Sequence, residues 1–225
     1  MIELENIAYG YGGRVLFAGV SLTLEPGSFH ILTGASGTGK TTLIRLCYGD
    51  LTPTEGAVQL FGRDLAGMDR DRLALSRRRI GVVHQEARFL DHLPLRDNVA
   101  LPLAMADRMG GEEEAQLGDL LAWVGLTQQQ DQRPPELSGG ERQRAALARA
   151  VIMSPEIVLA DEPTGNIDWE MSERLLQLLI ELNRSGKAVL IATHDLALIR
   201  QAKSAVDARI LRLKDGQLDM AGAAL

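Results

Sequence analysis

The sequence predicts an α/β fold built on a parallel sheet, with antiparallel β structure at its start and a helical insertion in its middle third. Three observations predict it. A buried run, Phe29 to Thr33, meets a glycine-rich stretch and then a helical pattern, the order of a strand–loop–helix unit. Further short apolar runs at Ile80 to Val83, Ile157 to Ala160 and Ala188 to Ala192 are rich in branched side chains and do not alternate, as in strands covered on both faces. Between His84 and Ser154 no such run occurs, while Leu117, Leu120, Leu121 and Val124, then Leu147, Ala148 and Val151, recur at helical intervals.

Taken in order, Ile2, Leu4 and Ile7 with Glu3 and Glu5 between them predict an opening strand. Val20, Leu22 and Leu24 alternate with Ser21, Thr23 and Glu25 up to a Pro26-Gly27 turn, which predicts an antiparallel partner. After the glycine-rich stretch, Leu43, Ile44, Leu46 and Cys47 form a helical stripe that Gly49 closes. A long amphipathic helix from about Trp169 to Asn183 carries Leu175, Leu178, Leu179 and Leu182, and Asp215-Gly216 turns a hairpin between Ile210 and Leu218. No repeat, linker or low-complexity tract divides the chain. A single domain is expected over residues 1–225, with 1–84 and 155–225 forming a core and 85–154 a helical subdomain.

Composition narrows the function classes. With 225 residues, 45% hydrophobic and 24% charged, the chain is long enough to bury a sizeable core and is neither disordered nor fibrous. Asp plus Glu (30) exceed Lys plus Arg (24), for a net charge of −6, a poor match for nucleic-acid phosphates. The lone Cys47 excludes an internal disulfide and fits a reducing compartment, and four scattered histidines make no metal-ligand spacing. Glu3 and Glu5 stand where a signal peptide needs a basic start, and no apolar run approaches the ~18 residues of a membrane span. A cytoplasmic chain is expected.

The strongest chemical signal is Gly34-Ala35-Ser36-Gly37-Thr38-Gly39-Lys40-Thr41, a P-loop in its required place after a strand and before a helix. Glycines with positive φ let backbone N–H groups converge on phosphate oxygens, and the helix that follows presents its positive end. Lys40 supplies a point charge for the β- and γ-phosphates. Thr41 is the expected Mg²⁺ ligand, and Thr42 donates to a neighbouring phosphate.

A second signal, Asp161-Glu162, ends a buried strand at the edge where α/β sheets place ligands. Alone, it reads as a solvated acidic turn. Beside a P-loop, Asp161 becomes a support for Mg²⁺, and Glu162, pointing the other way if the strand stays extended, a base for the attacking water. In a third segment, Leu137-Ser138-Gly139-Gly140-Glu141, Ser138 and Glu141 form an S-x-x-E capping box, and two glycines bare the helix start to an anion.

These residues carry a resemblance. The P-loop, Gln85, residues 137–141, Asp161-Glu162, Asn166-Ile167-Asp168 and His194, in that order and spacing, resemble the ABC-transporter nucleotide-binding domain over essentially the whole chain. The resemblance implies a P-loop NTPase fold with a RecA-like core, Mg²⁺-dependent ATP hydrolysis, and a homodimer that sandwiches two ATP molecules. It implies that Ser138, Gly139 and Gly140 act on the nucleotide of a second subunit, and that Asp168 bridges the dimer. It further implies Tyr11 on adenine, with Tyr9 an alternative, Gln85 on Mg²⁺ and the water, and His194 on the γ-phosphate.

Ala160-Asp161-Glu162-Pro163-Thr164-Gly165-Asn166 looks like the branch of cell-division, lipoprotein-release and macrolide-export ATPases. Met1-Ile2, Arg77-Arg78-Arg79-Ile80-Gly81 and the stretch from Leu90 to Leu103 resemble its cell-division members. These work with an FtsX-like integral membrane subunit that controls septal cell-wall hydrolysis, which implies a place on the inner face of the cytoplasmic membrane, with division-site proteins as further partners. Lipoprotein release or macrolide export is the alternative. His84 stands where the family has Phe, and Ile167 where it has Leu. The segment after Gln85 is where the family docks its membrane partner, so Phe89, Leu90, Leu93 and Leu95 form either that groove or core. A DNA-maintenance ATPase predicts a long coiled coil and a basic face, absent here. A non-hydrolysing scaffold does not fit the intact Lys40, Asp161, Glu162 and His194.

Overall fold

The computed structural model describes residues 1–165 and 167–220. Asn166, quoted above, and the last five residues assigned to the core lie outside the described residues. The chain runs β1 (Ile2–Tyr11), β2 (Arg14–Leu24), β3 (Phe29–Thr33), α1 (Lys40–Cys47), β4 (Glu55–Leu60), β5 (Arg63–Asp64), α2 (Arg70–Arg77) and β6 (Ile80–Val83). It continues through α3 (Leu95–Met105), α4 (Gly111–Trp123), α5 (Gly139–Val151), β7 (Ile157–Asp161), α6 (Trp169–Arg184), β8 (Ala188–Ala192), α7 (Leu196–Ala205), β9 (Ala208–Lys214) and β10 (Gln217–Met220).

Two sheets result. One is antiparallel, in the order β2-β1-β4-β5; the other has the order β10-β9-β3-β8-β7-β6, with β10 antiparallel to β9 and the other neighbours parallel. The expected parallel core, antiparallel β structure and helical insertion are all present. Strands β4 and β5 and helices α2 and α7 were not foreseen. In α2 only Ser76 is buried, so the helix has no apolar stripe to read.

Strand alternation sends side chains of the parallel sheet to two separate cores. Leu32, Leu159 and Leu190 face the antiparallel sheet and α1, whereas Ile31, Val158 and Ile191 face α5, α6 and α7. Helix α5 is shared: Leu147 and Val151 lie on the sheet, while Ala145, Ala148 and Ile152 pack with Leu95, Val99, Leu117 and Leu121 in a third, all-helical core. Leu95 therefore belongs to the core. Phe89 packs against both helical layers, and Leu90 stands exposed. The loop through Leu90 and Leu93 is clasped by fully buried Asn98, which accepts from Leu90 N–H and donates to the carbonyls of Leu90, Leu93 and Pro94.

Because β3, β6, β7 and β8 are parallel, their carboxyl ends share one edge. The P-loop follows β3, Gln85 lies just beyond β6, Asp161 ends β7, and His194 follows β8. Residues more than a hundred positions apart thereby meet at one rim.

Candidate active site

The P-loop owes its shape to glycines in positions closed to a side chain. A Cβ on Gly34, at φ +156°, would lie 2.6 Å from the Leu213 carbonyl oxygen, and one on Gly39, at φ +106°, would meet Leu16 Cδ2 at 2.6 Å. Gly39 is also the N-cap of α1 and makes no side-chain cap bond, so the first amides of the helix stay available to an anion. At the other end the Gly49 and Asp50 amides donate to the Leu46 and Arg45 carbonyls, closing the helix where the sequence places Gly49. Lys40 Nζ donates to Gly34 O at 2.9 Å and Ala35 O at 3.2 Å, and lies 4.0 Å from Glu162 Oε1. The ammonium thus stands centred in the loop.

Asp161, 3% exposed at the end of β7, has its carboxyl pKa raised chiefly by burial, with the Thr41 hydroxyl and Lys40 acting in the opposite sense. Glu162 differs from the sequence expectation. It does not continue the strand but turns into the left-handed region at φ +46°, with its N–H donating to Ala192 O at 2.8 Å. Its carboxylate oxygen meets His194 Nδ1 at 2.9 Å; an ionised carboxylate only accepts, so the imidazole donates. His194 is presented by buried Thr193 and by Asp195, which caps α7 through the Ala197 and Leu198 amides.

A cavity of about 720 Å³ collects Tyr11, Gly34, Ala35, Ser36, Gly37, Gly39, Lys40, Thr41, Thr42, Gln85, Asp161, Glu162 and His194. Leu16, which no motif marked, also lines it, as does Gly165 of the 160–166 segment, to which no site role was given. The Tyr11 hydroxyl lies 3.4 Å from Thr42 Oγ1, and its ring meets Tyr9 edge-on at 5.1 Å. Tyr9 packs against the core, so Tyr11 is the ring at the cavity. Thr38 bonds the Ala35 carbonyl on the far side of the loop. Ser138, Gly139, Gly140 and Asp168 are outside the cavity: Ser138 forms the capping box with Glu141 at the start of α5, and Asp168 caps α6 by accepting from Met171 N–H at 2.9 Å.

The oxygen donors Thr41, Gln85 and Asp161 line one further cavity, on the α1 side. Hard oxygen donors in small number suit Mg²⁺, which keeps waters and takes substrate phosphates as its remaining ligands. No cluster of three or more His, Cys, Asp or Glu side chains exists among the described residues, so a metal cage built wholly of such groups is not available there.

The ABC-transporter family model matches residues 17–165. The chain belongs to this family. It is an ABC ATPase, 41% identical over 219 residues to the cell division ATP-binding protein FtsE of Escherichia coli K12, covering 97% of each chain. The FtsE of Bacillus subtilis 168 is 35% identical over 218 residues, covering 96% of this chain and 93% of that one. The macrolide export ATP-binding/permease protein MacB of Rhodopseudomonas palustris is 39% identical, but the match spans only 30% of its length. An FtsE-like subunit is thus the better fit. Among solved structures, an ATP-binding cassette in a dimeric post-hydrolysis state with ADP and Pi superposes with TM-score 0.88 at 34% identity, covering 98% of both chains. A dimeric bacterial ABC-transporter cassette gives 0.88 at 36% identity over 97% of both.

Proposed function

We propose that this ABC ATPase is the ATP-hydrolysing subunit of an FtsEX-like complex, acting at the inner face of the cytoplasmic membrane on a membrane subunit that controls septal cell-wall hydrolysis. The observation that carries the hydrolytic part is the single cavity in which the P-loop, Gln85, Asp161, Glu162 and His194 converge. Full-length similarity to FtsE supports the cell-division part. No helix among the described residues is long and apolar enough to cross a membrane, so attachment runs through the partner.

In this reading the P-loop amides and Lys40 hold the triphosphate, and Tyr11 stacks on adenine. Thr41, Asp161 and Gln85 hold Mg²⁺, which when bound neutralises charge on the phosphates. Glu162 takes the proton of the attacking water, and His194 fixes the carboxylate and lies within reach of the γ-phosphate. Ser138, Gly139 and Gly140, at the exposed start of α5, complete the site of a second copy, and Asp168 joins the two copies. Residues 85–154, the helical subdomain, carry this trans segment. The dimeric state of the related cassettes supports the homodimer.

Affinity capture of the ATP-loaded Glu162→Gln chain from native membranes tests the proposal. A small FtsX-like integral membrane protein recovered in stoichiometric amount supports it. A lipoprotein-release or drug-export permease would move the function to that alternative, and absence of any membrane protein would leave only the ATPase.

A further inference from the structure

A cavity of about 840 Å³ lies beside the P-loop, between α7 and the β9–β10 hairpin. It shares Gly34, Ala35 and His194 with the nucleotide cavity, so the two hollows meet at the P-loop and at the residue that bonds Glu162. Part of its wall is open and apolar. Leu196, the first residue of α7, is 54% exposed, and Met220 of β10 is 66% exposed.

Another open apolar group stands at the same rim. Trp169, the first residue of α6, is 57% exposed. Helices α6 and α7 follow neighbouring parallel strands and run side by side, with Gln201 Nε2 donating to Glu173 Oε1 at 3.4 Å. Their first turns therefore stand at one end, which brings Trp169 and Leu196 out on the nucleotide side of the sheet. Single exposed apolar residues need no explanation, but an open indole near an open apolar cavity makes a surface suited to burial. His194 is incomplete in the same way. Its side chain is 80% exposed, whereas that of Glu162, which it bonds at 2.9 Å, is 14% exposed. A hydrogen bond that aims a carboxylate is stronger where water is kept from it.

We propose that in the ATP-bound dimer Trp169 of each copy seats in the cavity between α7 and the β9–β10 hairpin of the other, against Leu196 and Met220 and over His194. The inference rests on the homodimer reading above. Continuity selects a second copy as the occupant: Asp168, which that reading places between the copies, directly precedes Trp169, and the cavity opens beside the site that Ser138, Gly139 and Gly140 of the second copy complete. The dimeric state of the related cassettes agrees with it. A two-fold contact is reciprocal, so one tryptophan per chain fills both cavities. An indole buries a large apolar area at little cost in side-chain freedom. Once seated it shields the His194 imidazole from water and so steadies Glu162. Trp169 is thus a positioning residue, acting through His194 on the base of the neighbouring subunit.

The test uses the full-length Glu162→Gln chain with ATP. One population carries Trp169→Cys, another Met220→Cys, and the mixture is treated with a short bifunctional maleimide. The native Cys47 is fully buried, so the introduced thiols are the ones that react. A 169–220 product that forms with ATP and not with ADP is expected. By sedimentation, Trp169→Ala should raise the dimer dissociation constant roughly ten-fold or more, and Trp169→Phe should largely restore it. At concentrations where both proteins are dimeric, diethyl pyrocarbonate should modify His194 faster in the Trp169→Ala dimer than in its parent. In the chain that retains Glu162, Trp169→Ala should lower kcat several-fold with KM little changed. Unfolding midpoints verify that each variant is folded. A 169–169 product without a 169–220 product places the two indoles on each other and overturns the proposal, as does a dissociation constant or a His194 reactivity indifferent to Trp169→Ala. A Glu162→Gln dimer without the cross-link overturns this inference alone; a Glu162→Gln chain that stays monomeric with ATP overturns the homodimer reading with it.

Discussion

One carboxylate oxygen of Glu162 lies 2.9 Å from His194 Nδ1 and 4.0 Å from Lys40 Nζ, so a single acceptor stands between cationic or donor groups from two other loops. The backbone that holds it there is left-handed at a non-glycine residue, a conformation that costs of order 1 kcal/mol or more and persists only where its surroundings enforce it. The geometry suits a base whose direction matters. Glu162→Gln is expected to lower kcat by about 10²–10⁴-fold with nucleotide affinity retained. His194→Ala should lower kcat about ten-fold while KM moves little, since it releases the carboxylate without removing it. Steady-state turnover and equilibrium nucleotide binding check both. Wild-type turnover by Glu162→Gln would end the base assignment.

Tyr11 and Tyr9 touch edge to edge but do different work, because Tyr11 is half-exposed at the cavity and Tyr9 is packed on the core. Loss of a base–aromatic stack costs about 1–3 kcal/mol, so Tyr11→Ala should weaken ATP binding roughly 5- to 100-fold. Tripolyphosphate, which has no base, should bind the variant as it binds the wild type. Tyr9→Ala should lower the unfolding midpoint instead. Titration calorimetry decides the matter: unchanged ATP affinity in Tyr11→Ala removes the stacking assignment.

What could be read in the sequence was local or periodic. The P-loop, the capping box of Ser138 with Glu141 and the apolar runs of β3, β6, β7 and β8 are each written in neighbouring residues. The left-handed backbone of Glu162 was not legible, because a residue before proline is biased to extended backbone and here the hydrogen bond to the Ala192 carbonyl accompanies a departure from that bias. Leu16 was missed for a different reason. It reaches the cavity from the β1–β2 hairpin over Gly39, a contact that only the assembled sheets create. An open groove between α2, β6, α3 and α5 likewise draws on residues from Tyr48 to Met153, which no window of sequence holds together.

His30 introduces a pH dependence outside the catalytic machinery. It is 3% exposed on β3, its Nδ1 has no hydrogen-bond partner, and its pKa is lowered from 6.5 to about 4, chiefly by burial and further by Arg209, with Glu25 opposing. The folded state therefore binds this proton less readily than the unfolded chain does. The associated stability is fully present above pH 6.5, falls as the pH drops below it, and is gone below about pH 4. A displacement of this size corresponds to roughly 3 kcal/mol. Urea denaturation at pH 7.5 and 5 should show a smaller loss for His30→Leu than for the wild type, by about 1–2 kcal/mol. Equal losses in the two proteins would mean that His30 does not contribute.

Gly81 fixes how closely α5 approaches the sheet. A Cβ on this β6 residue would lie 2.2 Å from the Ala150 carbonyl oxygen and 2.9 Å from Pro155 Cγ, and the nearer obstacle is helix backbone that no rotamer change can move. Gly81→Ala must therefore push the C-terminal half of α5 away from β6 or bend the strand, an overpacking strain of about 1–3 kcal/mol. In a domain of this length each kcal/mol lowers the melting temperature by about 2–4 °C, which makes the expected change a decrease of roughly 2–12 °C. The same helix carries Ser138, Gly139 and Gly140 at its other end. Tilting it should lower the turnover that depends on a second subunit more than it lowers ATP binding by one chain. Calorimetric melting together with ATPase rates across protein concentration measures both effects. A Gly81→Ala protein with unchanged melting temperature would mean that the α5–β6 contact yields without strain.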